Sequence, residues 1–104
     1  MTEDTVMEKF NGIINGGTPV LVDFFAEWCG PCKAMRPVLD ELKQQLGDKV
    51  RIIKIDVDKN SGLSQTFGIR SVPTLILFSN GKVVWRASGA RPLSELKEQI
   101  SRIS

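Results

Sequence analysis

Two thiols and no imidazole bound the chemistry open to this chain. Cys29 and Cys32 are the only cysteines among 104 residues, and histidine is absent. Structural zinc wants four Cys or His ligands and iron–sulfur clusters about four thiolates, so one chain cannot supply either, and no metal site is expected. A metal or cluster would have to be bridged between two chains. Hydrolysis through an imidazole base and haem held by a proximal histidine are excluded with the histidine. The sulfurs remain, three positions apart in Cys29-Gly30-Pro31-Cys32, a spacing that suits reversible disulfide exchange.

A permanent staple is the bland alternative. In the chain-entropy account, closing a four-residue loop stabilises by roughly 2 kcal/mol, against about 4.7 kcal/mol for a 100-residue loop. The pair would brace the fold poorly, and a reducing cytosol rarely keeps such a bond closed.

The flanking sequence predicts how the thiols are held. Val20-Leu21-Val22-Asp23-Phe24-Phe25-Ala26 is a nearly continuous apolar run of strand length, as in a central strand covered on both faces. After the cysteines, Met35, Val38, Leu39, Leu42 and Leu46 repeat at helical spacing until Gly47, and Pro37 predicts a kink near residues 33–37. The thiols therefore straddle a strand-to-helix junction, the end of an open α/β sheet where active sites collect. Unpaired N–H groups and the positive dipole end at that helix start favour a thiolate on Cys29, making it the attacking sulfur. Lowering a thiol pKa from about 8.5 to 7 raises the thiolate at neutral pH about sixteenfold and costs about fivefold in nucleophilicity, a net gain of about threefold. Better leaving ability and a tethered second thiol matter more, so Cys32 is expected to resolve the mixed disulfide.

Asp23 breaks the most apolar segment of the chain. A carboxyl there is poorly solvated, its pKa is expected to rise, and it could accept a proton through water; an acid bending out at a strand edge is the alternative. In Val50, Ile52, Lys54 the alternation places Lys54 on the core-facing side near Asp23, although a solvated strand lysine fits the same pattern. Val72-Pro73-Thr74 leads into another strand with one backbone donor missing. Spacing alone favours an ordinary trans proline there, since only about 5–6% of such bonds are cis.

The remaining elements complete an α/β layout. Val6, Phe10, Ile13 and Ile14 line an opening helix over 3–15; Val50–Val57 reads as a strand; 58–68 holds a short helix. Thr74–Ser79 and Lys82–Ala87 flank Asn80-Gly81, a type I′ hairpin signal. Pro92 opens a closing helix at its first position, with Leu93, Leu96, Ile100 and Ile103 on one face. A single domain over 1–104 is expected, with a central mixed sheet in the order second, first, third, fourth strand, between helices on both faces.

Trp28-Cys29-Gly30-Pro31-Cys32-Lys33, with Val22-Asp23-Phe24-Phe25-Ala26-Glu27 before it and Pro37, Asp56-Val57-Asp58, Gly68-Ile69-Arg70-Ser71-Val72-Pro73-Thr74, Asn80-Gly81 and Gly89 after it, closely resembles the thioredoxin family over about residues 20–103. The resemblance implies a thioredoxin-like fold and a dithiol that reduces disulfides in client proteins. It implies recharging by a thioredoxin reductase that draws electrons from NADPH through flavin, with no cofactor bound by this chain. It further implies that Cys29 attacks, Cys32 resolves, Asp23 with Lys54 assists proton transfer, and Pro73 is cis and packs against the disulfide. The Val72 backbone would then pair with an extended client segment, within an apolar contact surface of Trp28, Gly30, Pro31, Val72, Pro73, Gly89 and Ala90. Two departures stand out. Residues 1–17 offer no alternating segment where many relatives have an extra strand, so the second strand is expected at an open edge. Phe25 stands where tryptophan is common.

Charge and targeting narrow the partners. The formal charge of +2 comes without any basic cluster, so nucleic acid is not expected. No run approaches a membrane span, and Met1–Val6 has no signal character, so a cytoplasmic location is expected; a monomer is expected as well. A redox-silent binding module using the same apolar surface is the reading from a different class.

Overall fold

A computed structural model describes residues 3–103, with side chains from Val6 onward; expectations for Met1 and Thr2 lie outside the described residues. The chain runs α1 (Glu3–Ile14), β1 (Val20–Phe25), α2 (Gly30–Leu46), a 3₁₀ turn at Gly47–Lys49, β2 (Arg51–Asp56), α3 (Ser61–Thr66), β3 (Thr74–Ser79), β4 (Lys82–Ser88) and α4 (Leu93–Ser101). The sheet order is β2-β1-β3-β4, the order expected from sequence. β1 pairs parallel to β2 and antiparallel to β3, and β3 pairs antiparallel to β4. The β1–α2–β2 crossover accounts for the parallel pair, because only a long connection can return a strand in the same direction.

Alternation along β1 sorts the core into two layers. Leu21 packs with Met35, Leu39 and Leu42 of α2 and with Leu96 and Ile100 of α4. Val20, Val22 and Phe24 face the opposite way, onto Phe10 and Ile14 of α1 and Leu63 of α3. There Phe10, Phe67 and Phe78 meet with ring centroids 5.3–5.7 Å apart, a favourable aromatic spacing. Asp23 and Phe25 share the parity of Leu21, so the carboxyl is delivered to the α2 side of the sheet.

The hairpin turn follows its dipeptide: Asn80 has φ 52° and Gly81 φ 82°, the two positive values a type I′ turn requires. α2 continues through Pro37 to Leu46. Pro92 departs from expectation by one position. It is the N-cap of α4, in extended conformation, rather than its first helical residue. Its carbonyl accepts from Glu95 N–H and Leu96 N–H, and a residue without an N–H loses nothing at either place. Among the described residues β2 has no outer neighbour, and no helix is long and apolar enough to cross a membrane.

Candidate active site

The site begins where β1 stops. Cys29 N–H donates to Ala26 O at 3.2 Å, turning the chain, and Cys29 becomes the N-cap of α2 with extended backbone and Pro31 in the first turn. Its Sγ accepts from Cys32 N–H at 3.2 Å, which meets one of the unpaired donors that every helix start carries. No acidic side chain occupies the first turn of α2, so the sulfur alone benefits from the positive end of the helix. Cys29 and Cys32 form a disulfide. Both residues are shielded, at 4% and 3% exposure, so burial does not tell one from the other. Their surroundings do.

Cys29 faces the loop before β3. Its Sγ lies 3.6 Å from Val72 O, and Val72 packs against the sulfurs with Ala26, Phe25 and Val57. The Val72–Pro73 peptide bond is cis, and Pro73 is buried. Two contacts brace this loop: the Thr74 hydroxyl donates to Ser71 O at 2.7 Å, and Gly89 N–H donates to Pro73 O at 2.8 Å. Trp28 is 72% exposed and donates from Nε1 to Asp58 Oδ2 at 3.0 Å. Gly30, Pro31 and Ala90 are exposed, and Gly89 is half-buried. Of the residues expected to surround Cys29, Val72 lies against it and Gly89 is tied to the same loop through Pro73 O.

Cys32 faces inward. It borders a cavity of ≈ 310 Å³ with Asp23, Phe25, Arg36 and Lys54. Asp23 is 2% exposed, and its Oδ1 has no hydrogen-bond partner. Burial pushes its pKa up from 3.8 to about 6, partly opposed by Lys54 and then Arg36, since desolvation disfavours the charged form and a nearby cation favours it. A carboxyl poised there exchanges a proton near neutral pH.

Lys54 combines the two readings its alternation left open. It pairs with Asp23 in the strand register and borders the same cavity, on the Asp23 side of the sheet, and the residue is exposed. β2 is an edge strand, and a lysine stem lies along apolar surface while its ammonium stays in water. Arg36 and Asp58 were not singled out from sequence. Arg36 was legible as one turn beyond Cys32 on the same helix face; the Asp58 contact with Trp28 spans 30 positions and has no local signal. Among the described residues no three acidic or cysteine side chains cluster as a metal site.

The thioredoxin family model matches residues 1–102. The chain belongs to the thioredoxin family. It is 47% identical over 90 residues to a thioredoxin of Haemophilus influenzae, covering 86% of this chain and 84% of that protein. To a Bacillus subtilis thioredoxin it is 47% identical over 83 residues, 80% of each chain. The fold matches a thioredoxin crystal structure from Nicotiana alata at TM-score 0.84 and 38% identity, over 97% of this chain and 86% of that one. Family membership and the bonded cysteine pair make the protein a thiol–disulfide oxidoreductase. Nothing in the site favours the redox-silent module: the paired sulfurs at a helix start and the buried carboxyl behind them have no task in it.

Proposed function

We propose that the protein is a cytoplasmic single-domain dithiol carrier that reduces disulfides in client proteins, with Cys29 as nucleophile and Cys32 as resolving thiol. The observation that supports this assignment is the asymmetry of the two sulfurs, one capping α2 beside Val72 O and the other bordering the Asp23 cavity.

In the first step Cys29 thiolate attacks one sulfur of a client disulfide. A Cys29–client bond forms, the client S–S bond breaks, and the departing client thiolate takes a proton from solvent. In the second, Cys32 gives its proton to Asp23 through water and its thiolate attacks Cys29 Sγ. The Cys29–Cys32 bond forms, the second client sulfur leaves as thiolate, and Asp23 passes the proton on. Two electrons have moved from this chain to the client. Lys54 favours the Asp23 carboxylate from the neighbouring strand, keeping an acceptor ready near neutral pH.

The oxidised pair is returned to the dithiol by a thioredoxin reductase, to which NADPH supplies electrons through flavin; this chain then takes part in electron transport without binding either group. Val72 and Pro73 offer backbone to an extended client strand, and Trp28, Gly30, Pro31, Gly89 and Ala90 supply apolar contact around Cys29. A monomer suffices for all of this, since one chain contributes every group.

The test is reduction of a protein disulfide by the purified chain, with and without a flavoprotein reductase and NADPH. Catalytic turnover that requires both is expected. A reduction potential as high as that of secreted oxidants would overturn the reductant assignment, and unimpaired partner function in Cys29→Ser would restore the binding-module reading.

A further inference from the structure

Arg36 has no part in the exchange steps, yet it stands where it can govern one of them. It lies one helical turn beyond Cys32, so the two side chains share a face of α2, and both border the cavity that holds Asp23 and Lys54. Its guanidinium is also 3.5 Å from Glu27 Oε2, in a pair about half exposed to water. Arg36 is therefore shared between two carboxylates, Glu27 at the surface and Asp23 in the interior. The charged groups bordering Asp23 are Arg36 from α2 and Lys54 from β2. Its partner on β3 is the apolar Leu75.

We propose that Arg36 is a positioning residue for the closing step of disulfide exchange, its guanidinium held between Glu27 and the Asp23–Cys32 cavity so that Glu27 sets how much positive charge reaches the proton acceptor. The proposal rests on the reading of Asp23 as the group that takes the Cys32 proton. A guanidinium never deprotonates, so it acts as a constant field source. Asp23 Oδ1 lacks a hydrogen-bond partner, which leaves the carboxylate dependent on nearby cations for compensation. Arg36 already opposes the upward push of burial on Asp23. Removing Arg36 weakens that opposition, and neutralising Glu27 strengthens it. Opposite effects from two members of one ion pair are the signature of a field; loss of a merely structural contact would act the same way from either side.

The experiment follows the Asp23 carboxyl carbon by NMR against pH in the oxidised protein. Arg36→Gln is expected to move the titration upward by about half a pH unit, less than a buried pair would give because the guanidinium is half in water. Glu27→Gln is expected to move it downward, Arg36→Lys to stay near the parent, and 1 M salt to shrink both shifts. No movement in Arg36→Gln, or movement in the same direction in Glu27→Gln, overturns the proposal. The rate of mixed-disulfide resolution supplies the second readout: near pH 6, Arg36→Gln should slow it about twofold with little change at pH 8, as a smaller share of Asp23 is ionised. An unchanged pH profile in Arg36→Gln, with Asp23→Asn altering resolution, sinks Arg36 alone. An unchanged profile in Asp23→Asn sinks the acceptor reading beneath it.

Discussion

Asp23 and Lys54 are paired across β1 and β2 in parallel register and border one cavity with Cys32. The pairing follows from strand geometry: partners in a parallel ladder project to the same side of the sheet, here the α2 side. A single register step would have put Ile53 or Ile55 opposite the acid and removed the cation that β2 supplies.

That burial gives a pH-dependent stability of definite sign. The Asp23 pKa is raised from 3.8 to about 6 on folding, so between those values the folded chain keeps a proton that the unfolded chain has released. Stability from this group therefore falls as pH rises through that window, by at most about 3 kcal/mol. Asp23→Asn should be more stable than the parent at pH 8, with the difference shrinking below pH 6 and gone near pH 3.5. Thermal unfolding of both proteins across pH 3.5–8 checks this; a gain that persists at pH 3.5 would point to a packing effect instead.

Cys32→Ser should accumulate mixed disulfides on Cys29, because the first exchange proceeds and the second lacks its thiol. Cys29→Ser should abolish turnover. Non-reducing electrophoresis with mass mapping of the joined peptides reads both; adducts on Cys32 of the Cys29→Ser chain at equal yield would contradict the assigned roles.

Thr74→Val keeps the shape of a buried side chain and deletes the hydroxyl that donates to Ser71 O at 2.7 Å. The loss is expected to lower stability by about 1 kcal/mol. Because that bond fixes the loop carrying Val72, the Michaelis constant for a protein disulfide should rise more than kcat falls. Denaturant titration and steady-state kinetics measure the two effects.

Two glycines should respond to alanine with opposite signs. Gly81 has φ +82°, a backbone conformation that a side chain strains, and a Cβ there would also press on the Asn15 side chain, so Gly81→Ala should destabilise by about 1–3 kcal/mol. Gly12 lies inside α1 with nothing within 4 Å of its Cβ position, and Gly12→Ala should stabilise by about 0.5–1 kcal/mol. Melting temperatures of both variants, with circular dichroism to confirm the fold, decide the matter.

The elements were legible because their signals are local. Apolar periodicity marked α2 and α4, the continuous run Val20–Phe25 marked the central strand, and Asn80-Gly81 announced the hairpin; right-handed crossover and hairpin rules then left one sheet order. The redox pair was legible for the same reason, since three positions across a helix start bring two sulfurs together whatever the rest of the chain does. Asp23 announced itself as a charge where none belongs. What no local pattern contained was the far side of each contact. Lys54 could be core-facing or solvated by alternation alone, and only its place on an edge strand made it a cation at the mouth of a cavity. The cis bond before Pro73, the reach of Trp28 to Asp58, and the meeting of Arg36 with both Glu27 and the Asp23 cavity depend on how separate segments close on one another. Sequence by itself determined which groups react, because reactivity is set by residue type and short spacing. Tertiary structure alone decided which sulfur meets the Val72 loop and which borders the buried acid, because that depends on the direction in which a helix and a neighbouring strand present their side chains to a shared space.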